Sequence, residues 1–176
     1  CIDLHTHPFR PYRSAIDITS DALATRKLED GLWVMSPEWD AVMHLVHSPL
    51  SEHLTQSLFH IIDLRQALLK NPKSFRLAVP CLERMGLKTA GWSMLQWMSL
   101  WSGSTPDITH ALEPRLWRRE YIDYWLHHLD PALRYMSHPH AVRATFSLLL
   151  HDRPQDMSRV VKQFVLGQKK AIPKWR

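Results

Sequence analysis

Over most of this chain the apolar residues recur at intervals of three and four, the spacing of one helical face, which predicts helices rather than strands. Ser36-Pro37-Glu38 reads as a helix start, with a hydroxyl cap, a proline at the first helical position and an acid in the first turn. Ala41, Val42, Leu45 and Val46 then mark the apolar face, and Ser48-Pro49 should end the helix. A second helix is expected over residues 51–70, with Leu54, Leu58, Ile61, Ile62, Leu64, Leu68 and Leu69 as its apolar face and Asn71-Pro72 as its end. Further helices are expected over 73–85, 89–101, 114–128, 138–151 and 154–167. The breaks between them are Gly86, Gly103-Ser104-Thr105-Pro106, Asp130-Pro131 and Asp152-Arg153-Pro154.

The first residues follow a different period. Cys1-Ile2-Asp3-Leu4-His5-Thr6-His7 alternates as a strand does, which sets Asp3, His5 and His7 on one face. Pro8 and Pro11 force an extended or turning path after it. A short polar helix over 20–29, ending near Gly31, and a short strand over 31–35 complete the expected elements. The fold class is therefore mainly α: a helical bundle preceded by one or two β-strands.

A length of 176 residues suits one domain or slightly more. No apolar run approaches the roughly 20 residues needed to span a bilayer. The longest candidate, 90–101, is interrupted by Gly91, Ser93, Gln96 and Ser99, so no membrane association is expected, and no leader-like segment stands at the front. Cys1 and Cys81 form no CxxC and lie outside any zinc-like histidine spacing, so two free thiols in a reducing cytoplasm are expected. Lysine and arginine exceed the acids by 22 − 17 = 5. Part of the excess lies in the tail at Lys169, Lys170, Lys174 and Arg176, where a solvated terminus is commoner than nucleic-acid contact.

The densest set of metal-ligand types is thus Asp3, His5 and His7, at the very start of the chain, which leads us to expect the second half of something larger. Asp3-Leu4-His5-Thr6-His7-Pro8 looks like the strand end that opens metal-dependent hydrolases of the amidohydrolase and polymerase-and-histidinol-phosphatase types. Two imidazoles on one strand face can share Zn²⁺ or Mn²⁺ and lower the pKa of bound water. That chemistry draws further ligands from later strand ends around a barrel. Here the later histidines fall in helical stretches.

A longer set of motifs points elsewhere. Ile2-Asp3-Leu4-His5, then Ser36-Pro37-Glu38, then His44 with His47, then Ile61-Ile62-Asp63-Leu64 occur in this order over about the first hundred residues. Together they resemble the uncharacterised nucleotidyltransferases of the polymerase-β superfamily. The resemblance implies transfer of a nucleotide from a nucleoside triphosphate to an unidentified acceptor. It implies Mg²⁺ as cofactor, with Asp3 as the third metal-binding acid and His5 beside it at the strand end. His7 departs from the family pattern. Arg10 and Arg13, on the following loop, are candidates for phosphate contact. Residues 1–35 would be the end of an α/β nucleotidyltransferase core, whose sheet the strands complete, and 36–176 a helical domain. The family's glycine-serine turn and Asp-x-Asp pair belong upstream; here Gly103-Ser104 is followed only by Asp107. Alone, this stretch should not catalyse.

Asp40, His44 and His47 share one helical face, and His60 with Asp63 repeats the spacing on the next helix. A metal held across two antiparallel helices is one outcome; a buried histidine–aspartate tie between helices is the commoner one. Trp92, Trp97, Trp101, Trp117 and Trp125 read as core, and Arg115, Arg118 and Arg119 as a solvated helix face. A third functional reading follows from these bland outcomes: a non-catalytic helical interaction module.

Overall fold

The helix start expected at Ser36-Pro37 is present, and helices also begin at Pro72 and Pro154, because proline is preset for the first helical turn and loses no hydrogen bond there. A computed structural model describes residues 18–52, 54, 57–128 and 140–170. In chain order these form α1 (Thr19–Ala24), β1 (Lys27–Glu29), β2 (Leu32–Val34), α2 (Pro37–His47), a π-helical turn (Ser48–Glu52), α3 (Ser57–Lys70), α4 (Pro72–Met85) and α5 (Lys88–Ser102). They continue as α6 (Ile108–Leu112), α7 (Leu116–His128), α8 (His140–Leu149) and α9 (Pro154–Lys170). The mainly helical class with two strands ahead of the bundle is as expected.

The expected helix over 20–29 stops early. Residues Asp30 and Gly31 both take positive φ, 49° and 80°. Two left-handed residues make the tight turn whose twist matches a hairpin. The segment before the turn is therefore drawn into pairing, with Lys27 opposite Val34, Leu28 opposite Trp33 and Glu29 opposite Leu32. Ser36 also departs from expectation: its hydroxyl makes no cap bond to α2 and instead lies 3.3 Å from Thr25 Oγ1, to which it donates.

Helix α2 sits at the centre, packed on α3, α4 and α5. Trp39, Val42, Leu45 and Val46 from α2 are buried with Phe75, Ala78 and Leu82 of α4 and Trp92, Met94 and Leu95 of α5. Gly91 permits the close approach of α5: a Cβ there would lie 3.0 Å from Leu82 Cδ1 and 3.2 Å from Leu112 Cδ1. Beyond α6 the core continues through Ile122, Trp125 and Phe146. The seven-residue apolar face expected from residue 54 onward is narrower in fact. Leu54, Ile61 and Leu64 are buried, whereas Leu58, Ile62 and Leu69 are exposed.

Gly86 ends α4 at φ +70°, and Leu87 N–H closes on Leu82 O at 2.9 Å, the six-to-one bond of a Schellman end. Its carbonyl accepts Asp152 N–H at 2.8 Å. A Cβ at Gly86 would meet Arg153 Cγ at 2.9 Å. Gly86→Ala is expected to destabilise by about 1–2 kcal/mol, from left-handed strain plus displacement of Arg153. A shift in the urea midpoint at unchanged slope measures it.

Candidate functional site

Of the residues that sequence singled out, Asp3, His5, His7, Arg10 and Arg13 lie outside the described residues. The histidine group on α2 and α3 lies within them. His44 Nε2 is 3.9 Å from Asp40 Oδ1, one turn apart on α2. His47 at the end of α2 meets His60 of α3, ring centroids 5.4 Å apart and tilted by 60°. Both rings are half-buried. Asp63 is exposed, so its carboxylate is hydrated and needs no buried partner. Asp63 therefore does not form a buried tie between the helices, and His47 and His60 make a ring contact there. Among the described residues no group of three or more histidine, cysteine or acidic side chains is placed to hold a metal.

A second polar constellation was not anticipated. Arg118, expected on a solvated face, is only 6 % exposed. Its guanidinium donates to the carbonyls of Leu149 at 3.1 Å, of Asp152 at 3.2 Å and of His151. Asp152 Oδ1 lies 3.9 Å from the same guanidinium. The Asp152 carboxylate meanwhile accepts from the N–H of Lys88 at 2.6 Å, the N–H of Thr89 at 3.3 Å and the Thr89 hydroxyl. These are the free amides at the start of α5, where an anion is stabilised. One signal for this was present in the sequence. Leu87 stands at the cap position of α5 and has no side-chain acceptor, so the cap had to come from elsewhere in the chain. With its donors and acceptors engaged inside the protein, the constellation positions helices.

Next to it, His151 is fully buried, with Nδ1 3.1 Å from Ser147 O and Nε2 without a partner. Burial lowers its pKa, against the raising effects of the Ser147 bond, Asp156 and Asp152. On α7, burial raises the carboxyl of Asp123, opposed by His127 and Arg119.

The exposed apolar residues form the remaining candidate. Leu28 and Trp33, directly opposite in the hairpin, are 60 % and 64 % exposed. The Arg26 guanidinium lies over the Trp33 ring at 4.7 Å. Leu32, Val34 and Met35 are exposed beside them, and Phe59 on α3 is 78 % exposed. Trp92, Trp97 and Trp125 are core as expected, but Trp101 and Trp117 are exposed. Trp101 packs edge-on against Trp97 at 5.8 Å, and Trp117 lies under the Arg118 guanidinium at 5.0 Å.

Cys81 is a free, half-buried thiol, and among the described residues no helix is long and apolar enough to cross a membrane. Compared with known proteins, the chain matches no protein-family model, no curated protein and no solved structure.

Proposed function

We propose that this chain is the helical part of a nucleotidyl-transferring protein that moves a nucleotide from a nucleoside triphosphate to an acceptor. What supports the reading is the meeting of its motif helices: the helix begun at Ser36-Pro37-Glu38 brings His47 against His60, one turn before Asp63. On this reading Asp3 joins two acids supplied from outside this stretch in binding Mg²⁺, which offsets the charge of the triphosphate. Arg10 and Arg13 hold phosphate oxygens. The acceptor hydroxyl attacks the α-phosphorus, a new P–O bond forms, and pyrophosphate leaves with the old one. The hairpin would extend the catalytic sheet, and the helices would shape the acceptor pocket. The free thiol of Cys81 suits a reducing compartment, and a cytoplasmic location belongs to the proposal.

The exposed Leu28–Trp33 pair favours a second reading, a helical module that docks a partner without chemistry. Calorimetric titration of Mg²⁺ and triphosphate into the full open reading frame, with and without Asp3→Ala, separates them. The transferase reading expects Mg²⁺-dependent triphosphate binding that Asp3→Ala weakens on the order of tenfold or more. No binding in either titration would leave the docking module. Zinc or manganese binding that depends on His5 and His7, with no nucleotide, would point to the hydrolase chemistry instead.

A further inference from the structure

His151 sits where α7, α8 and α9 converge on the α4–α5 turn, with three charged groups near it among the described residues. Arg118 reaches it from α7, Asp152 follows it in the chain, and Asp156 approaches from the first turn of α9. A carbonyl only accepts, so the Nδ1 facing Ser147 O carries the proton. Nε2 then holds a lone pair with no donor. Asp156 is also buried, with Oδ1 3.4 Å from Arg159 Nη1 and Oδ2 without a partner.

We infer that this corner is a proton-operated latch: charging His151 in mild acid releases α9 from the α4–α5 turn, while the α2–α5 bundle stays folded. Burial is the main cost of charging the imidazole here; Asp156 and Asp152 offset part of it, and the Arg118 guanidinium, bonded to the His151 carbonyl, adds a smaller penalty. Release restores water to the ring. Among the described residues the attachment it frees includes the buried Val160 of α9 and a set of polar bonds: Asp152 N–H to Gly86 O, the Asp152 carboxylate to the amides of Lys88 and Thr89, and Arg153 Nη2 to Glu83 O at 3.4 Å. The central helices hold most of the apolar core, which among the described residues reaches this corner only through Phe146 and Leu150.

The sign follows from linkage. Burial holds the closed-state pKa of His151 below its ordinary value, so the closed state is the neutral one. Its stability is intact above the open-state pKa of about 6.5 and is lost as pH falls through it. Between pH 7.5 and 5.5 the opening equilibrium should rise, with a ceiling of about tenfold set by the open-state pKa.

Hydrogen exchange by mass spectrometry on the full chain at these two pH values tests it, each corrected for intrinsic exchange rate. Peptides covering 147–162 should lose more protection in acid than peptides covering 37–47, by up to about tenfold, and His151→Gln, which cannot be charged, should abolish the difference. Equal losses in both regions, or an unchanged difference in His151→Gln, overturn the latch. Should the variant not fold, the imidazole of the unaltered protein is followed by NMR across the same range. Protonation of His151 accompanied by loss of protection over 147–162 supports the latch. Protonation with protection intact overturns it.

Discussion

Trp125→Ala is expected to destabilise the protein by about 3–5 kcal/mol, the range for removing a large aromatic from a packed core. The indole is fully buried and stacks on Phe146, centroids 4.6 Å apart and rings within 18° of parallel. The stack joins α7 to α8. Domains of this size are stable by only about 5–15 kcal/mol, so much of the margin would go. Urea denaturation measures the loss, and the aromatic near-ultraviolet dichroism should fall with it. Trp125→Phe, which keeps the stack, should cost far less. A loss below about 1 kcal/mol for the alanine variant would mean that α7 and α8 do not pack through this pair.

Arg118→Met should cost about 3 kcal/mol, though it keeps most of the side chain's volume. The penalty comes from what is left behind: the carbonyls of Leu149, His151 and Asp152 lose their shared donor in a buried place. Lysine should rescue little, since a single ammonium cannot reproduce the planar fork that reaches three acceptors. Arg119→Ala on the adjacent position is the control. Its partner Glu113 is exposed, so its loss should be far smaller than that of Arg118 and fade with salt. Equal effects of the two substitutions would remove Arg118 from its organising role.

These two positions show how unevenly the fold could be read from sequence. Helix ends were readable because their signals are local. Asn71-Pro72, Gly86 and Gly103 each act through their own backbone, and the helices meet or end beside them. The hairpin was half-read: the strand after Gly31 was expected, but the one before it was assigned to a helix by its polar, helix-favouring residues. Pairing across Asp30-Gly31 overrode that weak preference. Arg118 was misplaced because flanking Arg115 and Arg119 make it look like one of a solvated set. Which of three neighbouring cations turns inward depends on carbonyls more than thirty residues away, and no local pattern carries that. Asp63 failed in the opposite sense: its apolar neighbours Ile61 and Leu64 are buried, yet the helix turns the carboxylate to water. Of the candidate site, the pairing of His47 with His60 was foreseeable from spacing, since both stand on faces that meet.

The Asp152 contact to Lys88 joins residues 64 apart in the chain. Closing so long a loop costs entropy that a few polar bonds cannot offset until the helices on both sides already stand in place. The corner should therefore form after the main folding barrier. Interactions absent at that barrier leave the rate of folding almost unchanged and act on the rate of unfolding. How long a native molecule survives before it opens is then governed at Arg118 and Asp152, while how fast it assembles is governed by α2, α4 and α5.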